Sequence, residues 1–147
     1  MKKQIVMVAL TMVAGVNLSL ESLAKSNIDA SKLIDKASVE AIIGKLKGVP
    51  KPDTGLLGES IIKYENMDGQ WVNITVYDSN RWGLKKGETS EMKPTALKGL
   101  GEEAFWVQRG TSAEVYVKKG ANILEVDTSG GIKFGKPIAE KAIANVK

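Results

Sequence analysis

Three neighbouring runs decide the fold: Ala104-Phe105-Trp106-Val107-Gln108, Ala113-Glu114-Val115-Tyr116-Val117-Lys118 and Asn122-Ile123-Leu124-Glu125-Val126-Asp127. Each is short, rich in branched and aromatic residues, and alternates apolar with polar positions, the pattern of a half-buried strand. Gly110 and the pair Lys119-Gly120 separate them where tight turns are needed, so the stretch reads as a three-stranded meander ended by Thr128-Ser129-Gly130-Gly131. Upstream, Glu59 to Glu65 and Trp71 to Tyr77 have the same character. Asn66-Met67-Asp68-Gly69 between them supplies turn residues, with Gly tolerating positive φ, and the pair reads as a hairpin.

Helical patterns flank these strands. Ser38 offers an N-cap, and Val39, Ala41, Ile42, Ile43 and Leu46 line an apolar face that closes near Gly44. At the other end Pro137 reads as the start of a helix with Ile138, Ala142, Ile143 and Val146 on one side. Val49-Pro50-Lys51-Pro52-Asp53-Thr54-Gly55 reads as a loop, because proline cannot donate to a ladder and restricts the residue before it. Arg81 to Lys98 is polar and contains Gly83, Gly87 and Pro94, so it forms a long excursion or a short surface helix. Hairpins and meanders pair antiparallel. The expected class is α+β, with one antiparallel sheet of about five strands and the N-terminal and C-terminal helices packed on one face.

The N-terminus has the three parts of an export signal. Lys2 and Lys3 precede the largely apolar stretch Ile5 to Leu20, and Ser22-Leu23-Ala24 resembles an A-x-A cleavage site. The apolar stretch is short of the roughly 20 residues that a spanning helix prefers. The expectation is a signal peptide over residues 1–24, a single α+β domain over 25–147, a periplasmic or secreted location, and no stable membrane anchor after cleavage.

Composition narrows the chemistry. The chain of 147 residues has no cysteine and no histidine. It therefore builds no disulfide, no thiolate nucleophile, no Ser-His-Asp triad and no Cys- or His-ligated metal. Lys+Arg number 21 against 17 Asp+Glu, and the charges are scattered with no long basic run, which argues against a nucleic-acid partner. No cofactor is expected.

Strand parity separates core from candidate site. In the second hairpin strand Val72, Ile74 and Val76 share one face, while Trp71, Asn73, Thr75 and Tyr77 share the other. In the meander Tyr116 lies opposite Val115 and Val117, and alternation in the preceding strand allows Trp106 to join the same side as Tyr116. With Trp82 from the excursion, the residues Trp71, Tyr77, Trp82, Trp106 and Tyr116 make a candidate binding surface for a protein, a peptide or another envelope component. The alternative is that the excursion covers this face as a second layer, since large aromatics are buried on average.

Other motifs carry less. Gly130-Gly131-Ile132-Lys133-Phe134-Gly135-Lys136 has phosphate-loop spacing, but the next residue is Pro137, which has neither a hydroxyl for magnesium nor an N–H for phosphate. Asn73-Ile74-Thr75 is a glycosylation sequon inside a predicted strand. Glu125 and Asp127 share one strand face about 7 Å apart at Cα. They are the candidates for a competing reading, a small carboxylate-dependent hydrolase acting on an envelope substrate.

Gly99-Leu100-Gly101-Glu102-Glu103-Ala104-Phe105-Trp106, followed by Val117-Lys118-Lys119-Gly120, an aliphatic strand and a terminal amphipathic helix, resembles a group of small exported bacterial domains of unknown function found in actinobacterial lipoproteins. The resemblance implies an exported α+β domain and carries over no catalytic residue. The lipid-bearing and paired cysteines of that group have no counterpart here. The leading expectation is a non-catalytic exported binding protein.

Overall fold

The computed structural model describes residues 27–147; the predicted signal peptide and its cleavage site lie outside the described residues. A 3-10 turn, Ala30–Lys32, leads into α1 (Lys36–Ile43). Then come β1 (Lys51–Thr54), β2 (Ser60–Glu65) and β3 (Trp71–Asp78). Helix α2 (Trp82–Thr89) is flanked by 3-10 turns and followed by β4 (Thr95–Ala96), β5 (Glu103–Arg109), β6 (Ser112–Lys119), β7 (Asn122–Thr128) and α3 (Ile132–Ile143).

The class is α+β, and the sheet is antiparallel throughout, in the order β1-β2-β3-β7-β6-β5-β4. It has seven strands rather than about five. The two additions are both edges. β1 forms from the segment read as a loop, because at an edge Pro52 has no ladder bond to donate on its outer side. β4 is a two-residue strand inside the polar excursion.

Register fixes the two faces. One cross-strand row runs Trp106, Val115, Val126, Ile74, Ile62, and the next runs Ala104, Val117, Leu124, Val76. This inner face is covered by α1, α3 and the first 3-10 turn, which together bury the main core. The terminal helices thus share one face, as expected, while α2 lies on the other. Helix α3 starts at Ile132, so Pro137 sits more than a turn inside it rather than at its head. Gly135 lets α3 sit close to the sheet: a Cβ there would stand 2.9 Å from a methyl of Val115. That close packing gives the phosphate-loop spacing a structural role. At α1 the cap is Asp35, which accepts from the Ser38 N–H at 2.8 Å. Ser38 is therefore inside the first turn, and its hydroxyl donates back to Asp35.

Among the described residues no helix is long and apolar enough to cross a membrane.

Candidate functional site

The outer face of the sheet has two unlike halves. Directly paired residues run Thr75, Glu125, Tyr116, Phe105 in one row and Tyr77, Ile123, Lys118, Glu103 in the next. Helix α2 lies over this half. Trp82 packs its ring 5.3 Å from Phe105, which stacks 5.0 Å from Tyr116. The Trp82 indole N–H donates to Glu103 at 2.7 Å, and Lys86 Nζ meets the same carboxylate at 2.7 Å. Lys86 and Trp82, in that order, hold the Glu103 carboxyl below the usual range.

Lys85 points inward from α2. Its ammonium lies 3.2 Å from Glu125 Oε2, 4.2 Å from the centre of the Tyr77 ring and 5.8 Å from that of Tyr116. Cation–π attraction and the ion pair therefore act on the same nitrogen. Burial pushes the Glu125 carboxyl up despite Lys85, and pushes the Tyr77 and Tyr116 hydroxyls up as well, with the Glu125 charge adding to both. At the start of α2, Arg81 pairs with Glu59 and lies 5.6 Å from the centre of the Tyr77 ring.

The alternative in which the excursion forms a second layer describes this half. Tyr116 and Trp82 are buried and Tyr77 half-buried, held by α2 rather than offered to a ligand. Trp106 is a correction: it pairs with Val115 and belongs to the inner face, against the helix-side core, while Phe105 occupies the place beside Tyr116. Of the predicted aromatic surface, Trp71 is the residue that lines the open groove on the outer face.

That open half is built on a polar row. Lys51 pairs with Lys63, Lys63 with Asn73, Asn73 with Asp127 and Asp127 with Glu114. Glu114 is tied down by Arg109 and by the Tyr116 hydroxyl at 2.8 Å. Burial, then the charges of Glu114 and Glu125, raise the Asp127 carboxyl to about 6. At the β1 end, Trp71, Asn73, Lys63 and Lys51 line a groove of about 490 Å³ whose other wall is the chain from Leu46 to Pro50. Asn66 shapes that wall. Its buried amide donates to the Ile43 carbonyl and to Gln70, and its oxygen accepts from the Asp68 and Gln70 N–H groups. The bridge between Leu46 and Asn66 holds the segment beside β2. Val49 stands at the rim, 85% exposed.

Sequence reasoning missed Lys51 and Lys63; it placed Asn73 on the face of Trp71 and in a sequon but not among the candidate site residues. The signal was hidden in register: the three stand in one row only once the segment Lys51–Thr54 is a strand. The carboxylates offer little to an acid/base pair. Glu125 is closed in by Lys85 beneath α2 and Glu114 is engaged by Arg109, which leaves Asp127 without a free second carboxylate on its row.

No family model, curated protein or solved structure matches the chain.

Proposed function

We propose that this is an exported, non-catalytic binding protein that holds an envelope component in the groove at the open half of its outer sheet face. The observation that carries the reading is the contrast between the two halves. The aromatics under α2 are packed against one another and Glu125 and Glu103 are ion-paired with Lys85 and Lys86, whereas Trp71, Asn73 and Lys51 border a groove of about 490 Å³. A large aromatic left half-buried beside a polar row, on a rigid sheet, is the arrangement from which ligand sites are made. The N-terminal pattern of Lys2, Lys3, the apolar stretch to Leu20 and Ser22-Leu23-Ala24 supports export. The likeness to small exported bacterial domains supports it too.

Affinity capture from a bacterial envelope extract tests this. Wild-type protein retains a specific component that Trp71→Ala and Lys63→Glu lose, while Lys141→Glu on the opposite side of the molecule retains it. Retention that is indifferent to Trp71 and Lys63 contradicts the reading. The hydrolase alternative makes a different claim, turnover of an envelope substrate that Glu125→Gln abolishes.

A further inference from the structure

We infer that the groove takes an anionic glycan, its acid group on Lys51 and Lys63 and a sugar ring on Trp71. The inference rests on the binding function proposed above and names its ligand class.

The anion follows from an unbalanced pair. Lys51 and Lys63 are directly opposite across β1 and β2. Side chains so placed have Cβ atoms about 5 Å apart, and like charges there are destabilising. One carboxylate stands near them: Asp53 Oδ2 is 3.1 Å from Lys63 Nζ, and this contact with Lys63 holds the Asp53 carboxyl below its usual range. Lys51 has no ion-pair partner among the described residues. Farther along the wall Lys47 is matched by Glu65 at 3.3 Å. The groove therefore keeps one uncompensated cation, Lys51, beside a second, Lys63, whose charge is matched by Asp53. An anion bridging the two ammonium groups relieves that repulsion and gains charge-assisted hydrogen bonds.

The sugar follows from what stands next to the cations. Asn73 is the direct neighbour of Lys63 in the row, and its amide offers both donors and an acceptor, matching hydroxyls that do both. Trp71 lines the same groove and presents a flat apolar ring that suits the C–H face of a pyranose. An acidic peptide is the rival anion, and the usual way for a sheet to take a peptide is to add it as an edge strand. Here the adjacent edge is β1, which is four residues long and carries Pro52, Lys51 and Asp53, features that block strand addition. The chemistry of the groove then favours a ring with an acid substituent over an extended main chain.

The test is calorimetric titration of the full chain with four probes: oligogalacturonate, a sulfated dextran oligomer, a neutral dextran oligomer and poly-glutamate of matched charge. Binding is expected for oligogalacturonate, for the sulfated oligomer, or for both, and the two arms distinguish a carboxylate from a sulfate-like acid. Lys51→Gln and Lys63→Gln each weaken it by about tenfold, the loss of one charge-assisted bond. Trp71→Ala weakens it by about three- to tenfold, the size of a lost ring contact. Asn73→Asp, which keeps the shape and adds a negative charge, serves as a second variant should Trp71→Ala fold poorly, and it also weakens binding. The neutral oligomer and poly-glutamate bind at least about tenfold more weakly than the acidic glycan. Poly-glutamate binding as tightly as the glycans, with no effect of Trp71→Ala, overturns the inference in favour of an acidic peptide. If no acidic glycan binds while an envelope component is still captured through Trp71 and Lys63, the ligand class is wrong and the binding function stands. If capture also ignores the groove, both fall.

Discussion

Replacing Lys85 with Met removes one charge from the underside of α2 while keeping an unbranched side chain beside Tyr77. At 3.2 Å from Glu125, and with an effective dielectric of about 20, the gross attraction is about 5 kcal/mol. Removing one partner of a well-buried pair costs about 3–5 kcal/mol, since the other charge stays behind. Both side chains keep some exposure, 14% and 15%, and Glu125 can take up a proton, so the expected cost at pH 7.5 is nearer 2–3 kcal/mol. For a domain of this size that lowers Tm by about 10 °C.

Two features distinguish a charge effect from lost packing. The double variant Lys85→Met/Glu125→Gln leaves no buried charge and loses only about 1 kcal/mol, so adding Glu125→Gln to Lys85→Met recovers about 1–2 kcal/mol. In the single variant the deficit shrinks as pH falls, because protonation of Glu125 removes the unpaired charge. Chemical denaturation of the four proteins of this cycle at pH 7.5 and pH 5 supplies the numbers. A deficit of less than about 0.5 kcal/mol for Lys85→Met, or the same deficit in the double variant, would refute the ion pair as the clasp of α2.

Three further outcomes follow from the geometry. Asp127 is raised from 3.8 to about 6 in the folded state, so it binds its proton more tightly folded than unfolded; its contribution is present below about pH 4 and is lost as pH rises toward 6. Asp127→Asn removes that slope and raises Tm at pH 7.5, and an NMR titration with the carboxyl midpoint near 4 would contradict it. Gly101→Ala and Gly99→Ala separate strain from crowding. Both glycines have positive φ, +56° and +79°, but a Cβ at Gly101 runs into the Lys118 carbonyl oxygen and comes 2.7 Å from Val117 Cγ1, whereas Gly99 has nothing within 4 Å. The expected costs are about 3 and 1 kcal/mol, and equal losses in urea denaturation would sink the distinction. Asn66→Ala strips the Ile43 carbonyl and the turn N–H groups of their partner, costing about 2–4 kcal/mol in the same assay; a loss within error would show that water replaces the amide.

Much of the architecture is written in local patterns. Gly110 and Gly120 mark the meander turns, Asn66 to Gly69 the hairpin, and parity alone sorts Val72, Ile74 and Val76 from Trp71, Asn73 and Tyr77. What is not local is not legible. Pro52 argues against a strand unless the strand is an edge, and edge position depends on the whole sheet. Phe105 and Trp106 are adjacent aromatics, and the choice of which faces the helices is made by pairing with Tyr116 and Val115, a register the β5 sequence does not contain. The covering of Tyr116 depends on Lys85, whose reach to Glu125 joins residues far apart in the chain. The site was the least readable part for the same reason. Lys51, Lys63 and Asn73 are ordinary surface residues in sequence and become one row only through two ladders.

The three tryptophans give the most direct test of where a ligand sits. Trp71 lines the groove, Trp82 is buried between the first turn of α2 and the sheet, and Trp106 packs on the side of α1 and α3. Their indole N–H signals in a proton–nitrogen NMR spectrum report on three separate places in one sample. On addition of the captured envelope component, the Trp71 signal is expected to move and those of Trp82 and Trp106 to stay. Movement of the Trp82 signal with Trp71 unchanged would place binding under α2 and contradict the groove.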